Sequence, residues 1–193
     1  MYTESMTPPK VIAVVGMMGS GKGTLVDYLT ETLHAPKVYF GGMVYEEIEK
    51  RGLDIVKDER AVREDMRAID GPAVLAKRAA SKAQELLTNG SAAVILDGVY
   101  SWSEDKYLRS EFGSDYISIA VVGSKPLRYE RVVNRKDSHR QYTLEQASER
   151  DIQEIEGIEK GGPIAYADYF MLNDTSLEDF KQTAEELCKQ LGL

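Results

Sequence analysis

With 193 residues, 42% of them hydrophobic and 29% charged, the chain has the makings of one domain around a single core. A net charge of -8 argues against a nucleic-acid or acidic-membrane partner, since either calls for a basic face. One cysteine, Cys188, excludes a disulfide framework and fits a reducing, cytoplasmic setting.

Residues 1–9 are polar and end in Pro8-Pro9, which predicts a loose arm and no signal peptide, and the apolar run behind them is too short to span a membrane. That run, Val11–Val15, is β-branched and predicts a buried strand. It stops in glycines, after which Leu25, Val26, Tyr28, Leu29 and Leu33 set a helical pattern. Strand, Gly-rich loop and helix, with the spacing Gly16-x-x-x-x-Gly21-Lys22, make a P-loop. The spacing G-x-G-x-x-G of a dinucleotide fingerprint is not met. Gly16, Gly19, Ser20, Gly21, Gly23 and Thr24 offer backbone N–H groups and a helix start to phosphate oxygens, and Lys22 brings a point charge to the terminal phosphates. In such loops a hydroxyl directly after the Lys ligates Mg²⁺. Here Gly23 holds that place and Thr24 comes one later, so a metal is expected on phosphate oxygens and water.

The helix is expected to close at His34 before Ala35-Pro36, and residues 37–40 predict a short strand running into Gly41-Gly42. Helices follow at 43–51, 57–69 and 73–87, stopped by Gly52, by Asp70-Gly71-Pro72 and by Asn89-Gly90. Arg60, Arg63 and Arg67 stand at i, i+3 and i+7, on one helix face. Two readings stay open for them: a solvated face paired with Glu59 and Glu64, or an anion clamp for a second substrate. The stretch Ala92-Ala93-Val94-Ile95-Leu96-Asp97-Gly98 is a buried strand ending in an acid, where open α/β sheets bind ligands. Asp97 is placed to orient Mg²⁺ through water or to take a proton from an attacking hydroxyl. Trp102 is expected to pack.

A strand at Tyr116–Val122 leads to a helix opened by Ser124-Lys125-Pro126, with Arg128, Arg131 and Arg135 again at i, i+3 and i+7. The polar stretch 136–140, with a solvated His139, is followed by a helix over 144–155 carrying Arg150 and by a turn at Gly161-Gly162-Pro163. Arginines before, in and after a polar segment suit a lid over phosphate. The fifth strand is 167–173, and Leu177, Phe180, Ala184, Leu187 and Leu191 mark a final core helix beside a buried Cys188. Strands alternating with helices throughout predict an α/β fold with a largely parallel five-stranded sheet.

The P-loop, Asp97-Gly98, Arg131-x-x-x-Arg135 and Ala167-Asp168-Tyr169 through Asn173 together resemble the nucleoside monophosphate kinase group, adenylate kinase included, and the last of these motifs is also similar to dephospho-CoA kinases. Over nearly the whole chain, the sequence resembles a mostly archaeal, adenylate-kinase-related family of P-loop proteins, which share a stretch like Gly71-Pro72 through Arg78. The resemblance implies a P-loop NTPase core (10–40, 90–135 and 161–193), a helical acceptor-binding insertion at 41–89 and a lid at 136–160. It implies ATP and Mg²⁺, with Lys22, Asp97, Arg131, Arg135 and Arg150 in the chemistry and a small nucleotide-type acceptor. It also marks two departures: Tyr45 and Tyr100 stand where such kinases carry acceptor-gripping arginines. Either Arg60, Arg63 and Arg67 take over that task or the acceptor is not a simple monophosphate. A hydroxyl kinase of the dephospho-CoA or nucleoside type and an ATP-binding regulatory protein are the alternatives.

Overall fold

The computed structural model describes residues 10–135 and 141–193. The arm expected at 1–9 and the first part of the expected lid, His139 included, lie outside the described residues. In chain order the elements are β1 (Val11–Val15), α1 (Lys22–Leu33), β2 (Lys37–Tyr39), α2 (Phe40–Arg51), α3 (Ile55–Asp70), α4 (Val74–Thr88), β3 (Val94–Asp97), α5 (Trp102–Phe112), β4 (Tyr116–Val122), α6 (Lys125–Val133), α7 (Leu144–Ile158), α8 (Gly161–Ala165), β5 (Tyr169–Leu172) and α9 (Leu177–Leu191), with a 3-10 turn at Gly113–Asp115.

The sheet is parallel throughout, in the order β2-β3-β1-β4-β5. Every residue of β1 is fully buried, as a central strand with both faces covered requires. Its side chains alternate between two cores. Val11, Ala13 and Val15 meet Phe40, Ile48, Met66, Leu75 and Leu108 from α2, α3, α4 and α5. Ile12 and Val14 meet Leu25, Leu29, Phe180 and Leu191 from α1 and α9. Strand order reverses at β1, whose neighbours β3 and β4 come from opposite directions, so the crevice beyond its carboxyl end is where such a sheet takes a ligand. Among the described residues, no helix is long and apolar enough to cross a membrane.

Three elements differ from expectation. Gly41-Gly42 does not separate strand from helix: α2 begins at Phe40, and Gly41 lies under the Tyr39 ring, where a Cβ would come within 2.4 Å of it. Helix α5 is unforeseen; Ser101 and Glu104 form a capping box, and Glu104 and Asp105 are fully buried, so its polar residues hide its helical pattern. The Gly161-Gly162-Pro163 turn is the short helix α8. Ser124 precedes α6 as expected but makes no side-chain cap; its N–H donates instead to Asp174 at 2.7 Å. His34 closes α1 in a left-handed conformation.

Candidate functional site

The loop between β1 and α1 is held by close packing as well as by its spacing. Gly16, Gly19 and Gly21 all have positive φ, at 148°, 77° and 102°. A Cβ at these positions would fall 2.4 Å from the Val121 carbonyl, 2.3 Å from the Arg128 carbonyl and 2.1 Å from the Asn173 amide nitrogen. Only glycine fits there, and the three contacts press the loop onto β4, α6 and the end of β5. Ser20 is fully buried, Thr24 is half-buried in the first turn of α1, and a Cβ on Gly23 would meet open space. The first turn of α1 has no side-chain cap, so its orphan N–H groups are left for another acceptor.

The Lys22 ammonium folds back on the loop, donating to the Gly16 carbonyl at 2.8 Å and the Met17 carbonyl at 2.9 Å. Burial, and then the nearby Lys160, bring its pKa down to about 7, against the opposing pull of Glu154 and Asp97. Asp97 ends β3 in register with Val14 of β1, at the carboxyl edge of the sheet beside the loop. Among the described residues no three His, Cys, Asp or Glu side chains gather into a direct metal cluster.

The second arginine stripe divides in the structure. Arg128 turns inward and is buried, donating to the Met18 carbonyl at 2.7 Å and to Asp151 at 2.6 Å, so it binds α7 to the loop. Arg131 donates to the Asn173 side-chain oxygen at 3.2 Å, while the Asn173 amide donates to the Ser20 carbonyl at 2.8 Å. Asn173 thereby ties Arg131 to the phosphate loop, and the other Arg131 terminal nitrogen is buried with no hydrogen-bond partner among the described residues. Arg135 is not on the helical stripe at all. Helix α6 ends at Val133, and Arg135 follows it, near enough for its charge to act on Lys22.

The first stripe does line a cavity. Arg60, Arg63 and Arg67 of α3 face Arg150, Gln153 and Glu154 of α7 across a cleft of about 640 Å³. Each arginine already has a carboxylate. Arg60 pairs with Glu64 at 2.8 Å, Arg63 with Glu59, and Arg150 with Glu154 at 3.1 Å as well as with the Tyr142 hydroxyl. Arg67 is committed most deeply, to the fully buried Glu104 at 3.0 Å, which also accepts from the N–H groups of Tyr100 and Ser101. Its role is therefore to hold the turn after Asp97. Arg63 and Lys160 stand 6.0 Å and 4.8 Å from the Tyr100 ring centroid, and burial drives its phenol pKa well above the ordinary value. Tyr45 is elsewhere. It packs edge-on against Tyr39 and lines a separate hollow with Gly42, Leu53 and Ile55.

Lys160, Glu154, Asn173, Tyr142 and Glu104 are site neighbours that sequence reasoning does not single out. Asn173 at least falls within the Ala167–Asn173 motif; nothing separates Lys160 from the solvated charges around it. Asp168 of that motif does a different job, accepting from the Ser118 N–H at 2.8 Å and pairing with Arg109 at 3.1 Å to join β5 to β4 and α5. Trp102 packs as expected, edge-on to Tyr166 and under Gly162.

A family profile described as an AAA domain matches residues 12–156. A UPF0200 protein of Thermococcus onnurineus is 36% identical over 184 residues, 94% of this chain and 97% of its own. The chain belongs to the UPF0200 family. Among solved structures, TT1252 from Thermus thermophilus superposes with a TM-score of 0.65 at 19% identity, over 96% of this chain and 99% of that one. A shikimate kinase from Bacteroides thetaiotaomicron gives 0.60 at 14% identity, over 95% and 99%. The fold is that of P-loop NTPases, shared with small-molecule kinases.

Proposed function

We propose that this chain binds Mg²⁺-ATP on the phosphate loop and transfers the γ-phosphoryl group to a small nucleotide-type acceptor in the cleft between α3 and α7. One observation carries the reading. A half-buried P-loop lysine and an arginine-lined cleft, of the volume that small-molecule sites occupy, meet at a common charge cluster around Glu154. With this reading we also propose the division into a core, an acceptor-binding insertion at 41–89 and a lid at 136–160, and a cytoplasmic setting with no nucleic-acid or membrane partner.

In this reading Lys22 leaves the Gly16 and Met17 carbonyls for the β- and γ-phosphates, which the N–H groups of residues 19–24 also receive. Mg²⁺ would neutralise phosphate charge here, and the Thr24 hydroxyl and Asp97 are the residues that would hold its water shell. Arg131, Arg135 and Arg150 offset the charge that develops as the acceptor oxygen bonds to the γ-phosphorus and the bond to the β–γ bridging oxygen breaks, releasing ADP. Arg60 and Arg63 exchange their glutamates for the acceptor's own anion, while Arg67 and Tyr100 shape the floor of that subsite. A phosphate acceptor needs no base. A hydroxyl acceptor, of nucleoside or dephospho-CoA type, passes its proton to Asp97, whose place at the end of β3 favours this as the second reading.

The test is ADP release from Mg²⁺-ATP with a panel of nucleoside monophosphates, nucleosides and dephospho-CoA, against Lys22→Ala. Acceptor-dependent release at least about 10³-fold above the variant is expected. ATP binding with no acceptor-dependent release would replace the kinase reading with that of a nucleotide-binding regulatory protein.

A further inference from the structure

Asn173 stands directly after β5 and is 7% exposed, a degree of burial that a carboxamide seldom reaches unless its polar atoms are answered. Its backbone is fixed along the sheet. The Asn173 N–H donates to the Val122 carbonyl at 2.8 Å, and the next residue, Asp174, accepts from the Ser124 N–H at 2.7 Å. A strand end held in this way limits where the Asn173 side chain can reach.

Both ends of that side chain are engaged, each by a partner that cannot change its role. The amide nitrogen donates to the Ser20 carbonyl at 2.8 Å, and the oxygen accepts from Arg131 at 3.2 Å. A carbonyl only accepts and a guanidinium only donates, so the position asks for one donor and one acceptor on a short side chain, as asparagine provides. Gly21 leaves room for it: a Cβ there would fall 2.1 Å from the Asn173 amide nitrogen.

Two consequences reach the phosphate loop. The Ser20–Gly21 peptide is trans and planar, so its carbonyl and its N–H point in opposite directions. Holding the Ser20 carbonyl on Asn173 occupies a lone pair that would repel an anion, and it fixes the Gly21 N–H facing away from Asn173. The other consequence concerns Arg131. Arg60, Arg63, Arg67, Arg128 and Arg150 each pair with a carboxylate. Among the described residues Arg131 meets none: its partner is the neutral Asn173, and its other terminal nitrogen is buried without one. A half-buried guanidinium whose charge no described carboxylate answers, one carboxamide away from the loop, suits an anion bound there.

We propose that Asn173 is a positioning residue for the bound nucleotide, setting the Gly21 N–H and Arg131 together on one polyphosphate. This rests on the ATP-binding reading above and adds to it the residue that joins the backbone cradle to an arginine. It also gives Gly21 a second task, that of admitting the Asn173 amide.

Calorimetry of Mg²⁺-ATP binding to the full chain tests this through a cycle of Asn173→Ala, Arg131→Met and the double variant. Asn173→Ala should lower ATP affinity at least about tenfold. Arg131→Met should lower it at least about fivefold in the wild-type background but less than about twofold where Asn173 is already gone, because an arginine without its tether no longer meets the phosphates. A purely structural asparagine would lower the denaturation midpoint, leave the affinity of the folded protein as it was and leave the Arg131 effect unchanged. An unaltered ATP affinity in folded Asn173→Ala, or an Arg131→Met loss of equal size in both backgrounds, therefore overturns the assignment while the ATP reading stands. Where Asn173→Ala fails to fold, Asn173→Ser, which keeps a hydroxyl in the site but is too short to span both partners, carries the same cycle. A wild type that does not bind Mg²⁺-ATP overturns the ATP reading, and this assignment with it.

Discussion

The phosphate loop and the α3/α7 cleft are built on opposite principles. In the loop, specificity is written into the backbone: three glycines with positive φ lie against Val121, Arg128 and Asn173 with no room for a Cβ. In the cleft it is written into side chains that are already paired with one another, Arg60 with Glu64, Arg63 with Glu59 and Arg150 with Glu154. A backbone cradle is committed to one chemistry and tolerates little change. On the proposed function, a set of exchangeable ion pairs can serve acceptors of different shape, and each arginine would give up a carboxylate before it takes a ligand. The difference teaches where to look for conserved chemistry and where to look for the choice of substrate.

The loop should therefore be brittle, and the largest effect is expected there. Gly21→Ala places a methyl 2.1 Å from the Asn173 amide at a φ of 102° that alanine rarely adopts. Strain and overpacking of this kind cost about 1–3 kcal/mol. Relief requires moving Asn173, which holds both the Ser20 carbonyl and Arg131. Loss of ATP binding by calorimetry, with a lowered denaturation midpoint, is the expected result. Retained ATP affinity would show that the loop adapts, and the contrast between the two regions would fall.

The cleft should yield more gently. Arg63 lines it, pairs with Glu59 and stands 6.0 Å from the Tyr100 ring centroid. Arg63→Ala should raise the acceptor KM about tenfold, the value of one charge-assisted contact, with ATP affinity unchanged. Equal effects on donor and acceptor would mean that the two regions form one site.

The same contrast governs what the sequence discloses. The loop and the strands that frame it are legible because a local order of apolar run, glycines and lysine carries them, and because Val94-Ile95-Leu96 leads straight to Asp97. The cleft is assembled from α3, α7 and the turn after β3, tens of residues apart, and no local pattern announces the pairing of Arg67 with Glu104 or of Lys160 with Glu154. Burial hides the rest. Helix α5 escapes a periodicity reading because Glu104 and Asp105 occupy core positions, where Arg67, Arg109 and the Tyr116 hydroxyl meet them. Arg128 shares a helical stripe with Arg131, yet it points into the protein and serves α7. A residue's period tells which face it shares, and only its partners tell what that face does.

The smallest effect is the one that ties the two regions together. Lys22 belongs to the loop, but its pKa of about 7 is set by burial and then by Lys160, whose partner Glu154 lines the cleft. The sign follows from that lowering. Below pH 7 the ammonium is already formed in the nucleotide-free protein; at pH 8 most Lys22 is neutral. A bound polyphosphate favours the charged form and returns the pKa toward its ordinary range, so binding at pH 8 must draw in a proton. Calorimetry of Mg²⁺-ATP binding at pH 8, in buffers of different ionisation heat, should report uptake of roughly one proton, with affinity falling as pH rises above 7. At pH 6 the Lys22 share of that uptake should vanish. Lys160→Met removes the charge that acts most on Lys22, so in that variant the onset of uptake should move to higher pH. An onset that stays where it was would mean that burial alone sets the lysine's pKa and that the loop and the cleft do not sense one another.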